Sequence, residues 1–533
     1  MAMSVRFGRR SLARAALVLA VITVLSRLAG FARSSAFTRE IGSGCVGSVY
    51  QTANAIPNIV FDIVAGGMLS ALVVPVLAPA LHRGDRAEVD ILVSALLSWV
   101  VVLLVPLTVF VLVLAGPLVT VLLGPDPCPG AHALGARMLV VFAPQVLLYG
   151  VGVVLSGVLT ASERFTWPAV APLLSSLVVL GTYLAFGRLA ARGIDAGALP
   201  RASEYLLSGG TTAGVAVLTL CLVPVVWRTG VHVRPTLRFP GRVAGSVRTA
   251  AFSGAATLAV TQMATAVMIA LANRHSAPGT VVIVTMAQTL FLLPWAVLSL
   301  PIATTAFPRL AAAWQAGQID AVRRRLGASM HVLIAAAAAG TAVLAAVARP
   351  AGLLLFGAGA PSLRQFAPAT TAFAVGLIGW SLVALLARAL YATDQVRMAA
   401  AAQVAGQLVV IAADIALSAL LPRGHRALAL GLGNSAGVAV AAALLLVGAV
   451  RVGIVHLDAA WWRRLVVVAA AAAVAAVAGA SVGRRSGLST LSALGTALAA
   501  AVVATLIYGA VLAVLDRQAL RQLLAVLPST TRP

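Results

Sequence analysis

The stretch Val21–Phe37 reads VITVLSRLAGFARSSAF and places two arginines, Arg27 and Arg33, inside an otherwise apolar run. An arginine at the centre of a membrane helix costs about 2.5–3.5 kcal/mol on insertion scales. Two of them in one span are therefore expected to face a water-filled cavity, where a guanidinium can bind a carboxylate or phosphate through paired hydrogen bonds. The alternative is that the span ends early and both side chains reach back to the membrane surface.

The composition of the whole chain is that of a membrane protein. Of its 533 residues, 61% are hydrophobic and 10% are charged, and the mean hydropathy is +1.03. Soluble domains do not have this balance. The net charge of +24 comes from 38 basic residues, all arginine, and we assign it to loops at the membrane surface rather than to nucleic-acid binding. The sequence contains no ATP-binding, zinc or serine-hydrolase motif, so neither an enzyme nor a cofactor is expected.

Fourteen apolar blocks are long enough to cross about 30 Å of hydrocarbon as helices. We therefore predict an all-α polytopic membrane protein with 14 transmembrane helices. The basic residues before the first block resemble a signal peptide, but no cleavage site follows, and we interpret the block as a retained span. The predicted spans are 12–38, 49–81, 91–123, 134–161, 165–188, 205–227, 243–273, 279–308, 326–348, 366–392, 398–421, 427–450, 459–482 and 489–515.

The distribution of arginine predicts the orientation of these spans. With the amino terminus inside, segments on the cytoplasmic side hold 23 arginines and outer segments hold 12. Arginine-rich segments stay in the cytoplasm, so we expect a multi-pass protein of the cytoplasmic membrane with both termini inside. The basic link 229–242 lies between the sixth and seventh spans and is expected to be cytoplasmic as well.

An internal repeat divides the chain at this link. The segment Val74–Gly84 aligns with Phe307–Gly317 at an offset of 233, and Leu155–Glu163 aligns with Leu386–Asp394 at an offset of 231. An offset of six spans predicts parallel repeats, as in carriers whose two halves alternate access to a central site. The predicted organisation is two six-helix lobes, a link and two further helices, which occupy 1–228 (first lobe), 229–242 (link), 243–452 (second lobe) and 453–533 (two C-terminal helices and tail).

Several motifs resemble those of the MurJ/MviN family of lipid II flippases, members of the multidrug/oligosaccharidyl-lipid/polysaccharide exporter superfamily. They are the segments Ser26–Arg33, Asn54–Asn58, Gly66–Leu77, Leu290–Pro294 and Phe307–Leu310. The resemblance covers essentially the whole chain. It implies transport of an undecaprenyl-linked peptidoglycan precursor from the inner to the outer leaflet, with a groove at the last two spans for the polyprenyl tail.

The same resemblance implies a substrate-binding set. Arg27 and Arg33 match family arginines of the central cavity, where a pyrophosphate needs a forked donor. We also expect Asn54, Asn58, Asp62 and Arg388 to bind the polyprenyl-pyrophosphate-linked glycan. Prolines are expected to interrupt the second and eighth spans, which would free backbone groups at the cavity; the alternative is that they only kink the helices. These prolines are Pro57, Pro75, Pro294, Pro301 and Pro308.

The chain departs from the family pattern at four cavity positions. Bacterial prototypes carry an acid at Ser48, an arginine at Phe61, a glutamate at Gly66 and an arginine at Thr289. The chain therefore represents either an actinobacterial-type branch that works with fewer charges or a paralogue that moves another lipid-linked glycan.

Two further expectations concern an ion and a disulfide. Some family members bind sodium through acids of the seventh and eleventh spans; here Asp414 lies in the eleventh, but the seventh contains no acid. Asp414 is thus a candidate for a monovalent-ion site, and the alternative is a structural ion pair or a hydrogen-bonded acid. Coupling of transport to an ion or to the membrane potential is an expectation. Cys45 and Cys128 both fall on the outer, oxidising side, where they can form a disulfide.

Three other functions remain open at this stage. A drug or cation antiporter of the same superfamily is disfavoured because cationic drugs require acids in the cavity, whereas the first span carries arginines. A flippase for a different polyprenyl-linked glycan is compatible with the absence of the four family charges from the cavity. A membrane scaffold that recruits cell-wall synthesis proteins without transporting anything fits them too, but the retained Arg27 and Arg33 count against it.

Overall fold

The computed structural model describes residues 9–63, 67–125, 128–190, 193–238, 241–274, 279–485, 487 and 489–526. The Gly66 position discussed above lies outside these residues. The chain folds into two compact units, Met1–Gln262 and Met263–Pro533. The boundary falls inside a continuous helix that begins at Gly241, after the basic link.

Unit 1 is built from helices whose apolar residues recur throughout their length. Among the described residues no strand occurs. In chain order its helices are α1 (Arg9–Ala36), α2 (Cys45–Phe61), α3 (Gly67–Arg83), α4 (Arg86–Val113), α5 (Ala115–Leu123), α6 (Ala131–Phe142), α7 (Gln145–Ala161), α8 (Thr166–Leu189), α9 (Arg201–Leu220), α10 (Val223–Trp227) and α11 (Gly241–Asn273), the last of which continues into unit 2.

Unit 2 repeats this pattern and adds helices at its C-terminal end. Its helices after α11 are α12 (Thr280–Pro294), α13 (Leu300–Gln315), α14 (Ile319–Phe356), α15 (Ser362–Val375), α16 (Leu377–Ala392), α17 (Val396–Leu420), α18 (Arg426–Arg451), α19 (Ala459–Gly483), α20 (Thr490–Leu515) and α21 (Arg517–Val526).

Within the described residues, eleven helices or joined helix pairs are long and apolar enough to cross a membrane. Each coincides with one of the predicted blocks. They span Arg86–Val113, Ala131–Ala161, Thr166–Leu189, Arg201–Trp227, Thr280–Gln315, Ile319–Phe356, Ser362–Ala392, Val396–Leu420, Arg423–Arg451, Trp461–Gly483 and Thr490–Leu515.

The prolines do not all act as predicted. A five-residue π-helical turn separates Pro294 from Pro301, so the eighth span is interrupted there. The expected interruptions at Pro57, Pro75 and Pro308 are wrong, because α2, α3 and α13 continue through these residues. A proline removes only one backbone hydrogen bond and usually bends a helix, and neighbouring helices can satisfy the freed carbonyl.

The backbone adopts the same turns at the aligned positions of the internal repeat. Gly84 and Gly317 both have positive φ, of 71° and 68°, and Glu163 and Asp394 have φ of 58° and 60°. No other non-glycine residue in the described part of the chain has positive φ. After each of these two acids the next amide donates to the carbonyl five residues back, at 2.8 Å. Left-handed non-glycine residues are uncommon, so their recurrence shows that the sequence alignment reflects matching structure.

A disulfide and a close glycine contact hold one end of unit 1 together. Cys45, the first residue of α2, is bonded to Cys128, which precedes α6, and their Cα atoms are 6.1 Å apart. Two residues later Gly130 has φ of 78°, and a Cβ there would lie 2.5 Å from the Cα of Gly197. Glycine is therefore required at 130 both by its conformation and by the space.

A buried carboxylate joins α6 to α9 near the same end. Glu204, in the first turn of α9, is 1% exposed and accepts two 2.8 Å hydrogen bonds from the guanidinium of Arg137. Arg201 approaches the same carboxylate at 3.4 Å. The first turn of a helix favours negative charge, and the forked donor matches the carboxylate geometry. This group stabilises the end of unit 1 where α2 starts.

In unit 2, small side chains allow α19 and α20 to approach α14 closely. Ala346 of α14 packs with Ala500 and Ala504 of α20, and Gly479 of α19 has no room for a Cβ beside them. The buried hydroxyl of Tyr508 donates to the carbonyl of Ala335 at 2.8 Å. Small residues favour close helix packing in membranes, which explains why two spans outside the repeat join this unit.

Candidate substrate-binding site

The polar side chains of α2 form one stripe. Asn54, Asn58 and Asp62 follow one another at intervals of four residues, so the helical repeat places them on the same face. All three are half-buried. The structure brings these three residues together on one face, an arrangement that their four-residue interval in the sequence could have indicated.

Each member of the stripe has a different hydrogen-bonding state. The side-chain amide of Asn58 donates to the carbonyl of Asn54 at 2.9 Å, and Asp62 accepts from the amide of Gln262 at 2.8 Å. The Asn54 Oδ1 atom is buried and has no hydrogen-bond partner among the described residues. An unpaired buried acceptor costs about 1–3 kcal/mol, so Asn54 offers a free acceptor to a donor of a bound molecule.

The two arginines of the first span have different surroundings. The Arg33 side chain is half-buried and interacts electrostatically with the phenols of Tyr50, Tyr149 and Tyr183. Arg27 is exposed and makes no hydrogen bond or ion pair within the described part of the chain. Six residues correspond to about 600° of helix rotation, or about 120° between the two side chains. The structure therefore brings Arg33, and not Arg27, to the residues of the α2 region.

A chain of polar side chains that the sequence analysis missed continues from the stripe into the unit. The phenol of Tyr149 interacts with the side chain of Asn58 and lies 3.5 Å from Gln145 Oε1. Gln145 donates to Thr212 at 3.0 Å, and Thr212 donates to the carbonyl of Val141 at 2.9 Å. Gln145 and Tyr149 are four residues apart in an apolar helix, a spacing that could have identified them.

A second buried group of hydroxyls lies beside the first. The Tyr50 hydroxyl is 2.8 Å from that of Tyr183 and 2.7 Å from Thr211 Oγ1, and Thr211 donates to the carbonyl of Leu207. Phe37 and Phe142 pack against the ring of Tyr50. This group fixes the relative positions of α2, α8 and α9, and with them the phenols near Arg33.

In unit 2, Arg388 and Thr289 each form a hydrogen bond with a backbone carbonyl of their own helix. The half-buried guanidinium of Arg388 donates to the carbonyl of Ala384, one turn back, at 2.7 Å. The prototype arginine position is occupied by Thr289, which donates to the carbonyl of Thr285 at 2.9 Å. Neither contact involves an acid, so the structure leaves Arg388 with donors available for another acceptor.

Asp414 on α17 is fully buried, with 0% exposure, and neither carboxylate oxygen has a hydrogen-bond partner among the described residues. One turn on, Ser418 Oγ is also buried and unpaired. The side chain lies against α18, where a Cβ at Gly433 would come within 2.0 Å of Asp414 Oδ1. Arg426 donates to the backbone carbonyl of Ser418. In the described residues no three acid, histidine or cysteine side chains cluster as a metal site.

Comparison with known proteins identifies the family. A family model described as the lipid II flippase MurJ matches residues 37–502. The lipid II flippase MurJ of Burkholderia cenocepacia is 26% identical over 463 residues, which cover 85% of this chain and 86% of the relative. A probable lipid II flippase MurJ of Synechocystis sp. is 31% identical over 217 residues, or 40% of each chain.

Solved structures show the same fold at low sequence identity. A lipid II flippase MurJ in an inward closed conformation has a TM-score of 0.73 at 14% identity, over 94% of this chain and 99% of that one. An inward-facing multidrug resistance MATE transporter of the MOP superfamily has a TM-score of 0.67 at 14% identity, over 82% and 98%. Since the family model matches most of its length, the chain belongs to the lipid II flippase MurJ family.

Proposed function

We propose that this chain carries lipid II, the undecaprenyl-linked peptidoglycan precursor, from the inner to the outer leaflet by alternating access. The observation that carries the proposal is the polar stripe of α2, whose neighbour Tyr149 also interacts electrostatically with Arg33, in a chain matched by the family model over residues 37–502. Polar groups inside a membrane protein are costly and mark substrate pathways. The partners implied are the polyprenyl-pyrophosphate-linked glycan and membrane lipids.

The chemistry of unit 1 suits the head group of such a lipid. Arg33 supplies a planar cation whose N–H groups can pair with two oxygens of a pyrophosphate. Asn54 Oδ1 is available to accept a hydrogen bond from a sugar hydroxyl or an amide. Asp62 accepts a hydrogen bond from the neutral amide of Gln262 and, in the part of the chain that the structure describes, forms no ion pair with Arg33. The positive charge of Arg33 is therefore available to an anionic substrate. Arg27 and Arg388 remain proposed substrate contacts at other stages of transport.

At Phe61, one of the missing family charges is replaced by an aromatic contact. Phe61 stacks on Tyr149 with ring centroids 5.6 Å apart, so the position of a prototype arginine now holds the phenol that contacts Asn58. Phenols and amides bind sugars and phosphates through neutral hydrogen bonds. A flippase for a different polyprenyl-linked glycan is the second candidate, because those neutral donors and acceptors would also suit another sugar.

We propose fourteen spans in total, with both termini in the cytoplasm and two six-helix lobes. Eleven spans are long apolar helices or helix pairs. The other three are α1 with 28 residues, α2 joined to α3 with 17 residues each, and α11 with 33 residues. An even number of spans puts both termini on one side, and the arginine bias makes that side the cytoplasm.

The disulfide provides a test of this orientation. In intact cells a membrane-impermeant maleimide should label neither Cys45 nor Cys128 until an impermeant reductant is added, because both are expected outside and paired. Cys221, inside the span Arg201–Trp227, should stay unlabelled in both conditions. Labelling of Cys45 and Cys128 before reduction would contradict the bridge, and labelling only after permeabilisation would contradict the orientation.

We also propose that Asp414 couples transport to a monovalent cation or to the membrane potential. Among the described residues, both of its oxygens and the Ser418 hydroxyl are unpaired, and oxygen ligands are what a hard cation requires. A single acid provides few of the oxygen ligands that a cation requires, so we expect low affinity.

Complementation tests the proposed function. Expression of the full chain in a bacterium depleted of its own lipid II flippase should restore growth and the appearance of lipid II in the outer leaflet. A scaffold that only recruits cell-wall synthesis proteins would leave outer-leaflet lipid II at the depleted level. A carrier of another glycan would also fail to restore it, but would bind that glycan lipid in purified form. The matched control is the same chain with Arg33→Ala at equal membrane abundance.

A further inference from the structure

The segment between α10 and α11 lies along α4 as an extended strap, defined here as residues 231–238. Three of its backbone N–H groups, at alternate residues, donate to side chains one helical turn apart: His232 to Asp90 at 3.0 Å, Arg234 to Ser94 at 2.9 Å and Thr236 to Ser98 at 3.1 Å. The indole of Trp99 then donates to the carbonyl of Leu237 at 3.1 Å. Every second residue of the strap therefore bonds to every fourth residue of α4. These bonds hold the strap in a fixed register along the helix.

The strap lies beside the first turns of α4, where the predicted span 91–123 begins. From Asp90 to Trp99 the helix rises about 13 Å at about 1.5 Å per residue. The following residues of α4, from Val101 onward, expose a run of large apolar side chains typical of a lipid-facing surface. Trp99 itself is partly exposed, and tryptophan is enriched where head groups begin. Arg238, beside Trp99 in this register, is therefore presented at head-group level on the cytoplasmic side.

The alternation of an extended chain puts the charged side chains of the strap on one face. The strap lines an open cavity of about 680 Å³ through His232, Arg234, Pro235, Thr236 and Arg238. The α4 side of the cavity consists of Ala87 and Ile91, which are apolar, and Asp90 and Ser94, which hold the strap. His232 is paired with Asp90, 3.6 Å away. Arg234 and Arg238 are exposed, and within the described residues neither has a carboxylate partner. The cavity therefore contains two unpaired guanidinium groups beside an apolar wall.

We propose that this cavity binds the phosphates of anionic phospholipids of the inner leaflet. The Cα atoms of Arg234 and Arg238 are separated by about 13 Å along an extended chain, which suits two phosphates rather than one. Guanidinium groups pair with phosphate oxygens in a forked geometry, and the apolar wall can pack against the glycerol and first methylenes. Bound lipid would anchor the link that joins the sixth and seventh spans. The inference uses the membrane orientation proposed above but not the identity of the transported glycan.

The test compares lipid binding by purified full-length variants. The assay is native mass spectrometry of the chain titrated with phosphatidylglycerol in a phosphatidylcholine background. The unmodified chain should bind tightly, and the double variant Arg234→Gln/Arg238→Gln should bind roughly tenfold or more weakly. Each basic residue near an anionic membrane surface adds appreciably to the binding free energy. The control Arg228→Gln/Arg324→Gln removes two exposed cytoplasmic charges outside the cavity and should change binding by less than about twofold. Equal weakening by both pairs would overturn the proposal, because it would show general charge attraction only.

A second variant tests the geometry without touching a charge. Ser94→Ala/Ser98→Ala removes two of the anchors of the strap and should weaken phosphatidylglycerol binding several-fold while both arginines remain. Unchanged thermal unfolding would show that the fold persists. Binding equal to that of the unmodified chain would contradict the proposed geometry of the cavity. If undecaprenyl pyrophosphate binding fell in the arginine variant while phosphatidylglycerol binding did not, the cavity would be a cargo site and the proposal would be wrong.

Discussion

Replacing Arg33 with lysine is expected to lower lipid II flipping by roughly ten- to a hundred-fold at matched membrane abundance. A charge-assisted hydrogen bond contributes about 1.5–3 kcal/mol, and lysine keeps the charge but loses the planar fork. Arg33 is half-buried and interacts electrostatically with three phenols, one of which, Tyr149, also interacts with Asn58 of the α2 stripe. Folding should be unaffected, since Arg33 makes no ion pair with the described residues that the fold depends on.

Arg27→Lys is the informative companion of this substitution. If both arginines contact the pyrophosphate, as the family resemblance implies, both lysine variants should lose transport. The exposed position of Arg27 predicts a smaller loss for it than for Arg33. The assay is the rate at which lipid II reaches the outer leaflet in cells that depend on the variant. Full activity of both lysine variants would remove the anion-binding interpretation and favour a scaffold or a differently charged substrate.

The two buried carboxylates, Glu204 and Asp414, should respond in opposite directions when they are neutralised. Glu204 is paired with Arg137 through two 2.8 Å hydrogen bonds, so Glu204→Gln leaves a cation without its partner. A broken buried pair costs about 3–5 kcal/mol, and the 34% exposure of Arg137 lowers the expected loss to about 2–3 kcal/mol. Asp414 has no partner for either oxygen among the described residues, so Asp414→Asn removes a desolvation penalty and should raise stability.

Thermal unfolding of the purified variants in detergent measures both effects. Glu204→Gln should unfold several degrees lower and Asp414→Asn several degrees higher than the unmodified chain. If Asp414 couples transport to a cation, the second variant should also lose any dependence of flipping on sodium or on the membrane potential. A stabilised variant with unchanged ion dependence would assign Asp414 a structural role only. A destabilised Asp414→Asn would show that the carboxylate has a partner in the folded protein.

The sequence alone was sufficient for the features that depend on local composition. Hydrophobic length predicted the eleven helices or helix pairs of the described residues that are long and apolar enough to cross a membrane. A helix that crosses lipid must satisfy its own backbone and needs about 20 apolar residues. The internal repeat was visible because both copies keep the same turns, down to positive φ at Glu163 and Asp394. The spacing of Asn54, Asn58 and Asp62 was enough to place them on one face, since helical geometry depends only on position along the chain.

Only the tertiary structure decided which of the polar residues meet. Asn58 interacts with Tyr149, and Asp62 accepts a hydrogen bond from Gln262, 200 residues away in the sequence. The strap donates a hydrogen bond to Asp90, which lies 142 residues earlier in the sequence. Such pairs depend on how helices rotate and pack, and apolar surfaces of similar composition do not encode that choice locally. The same reason distinguishes Arg33 from Arg27. Inserting either arginine into a membrane span has the same energetic cost, but their side chains point about 120° apart around the helix. Arg33 therefore interacts with the phenols, and Arg27 is exposed.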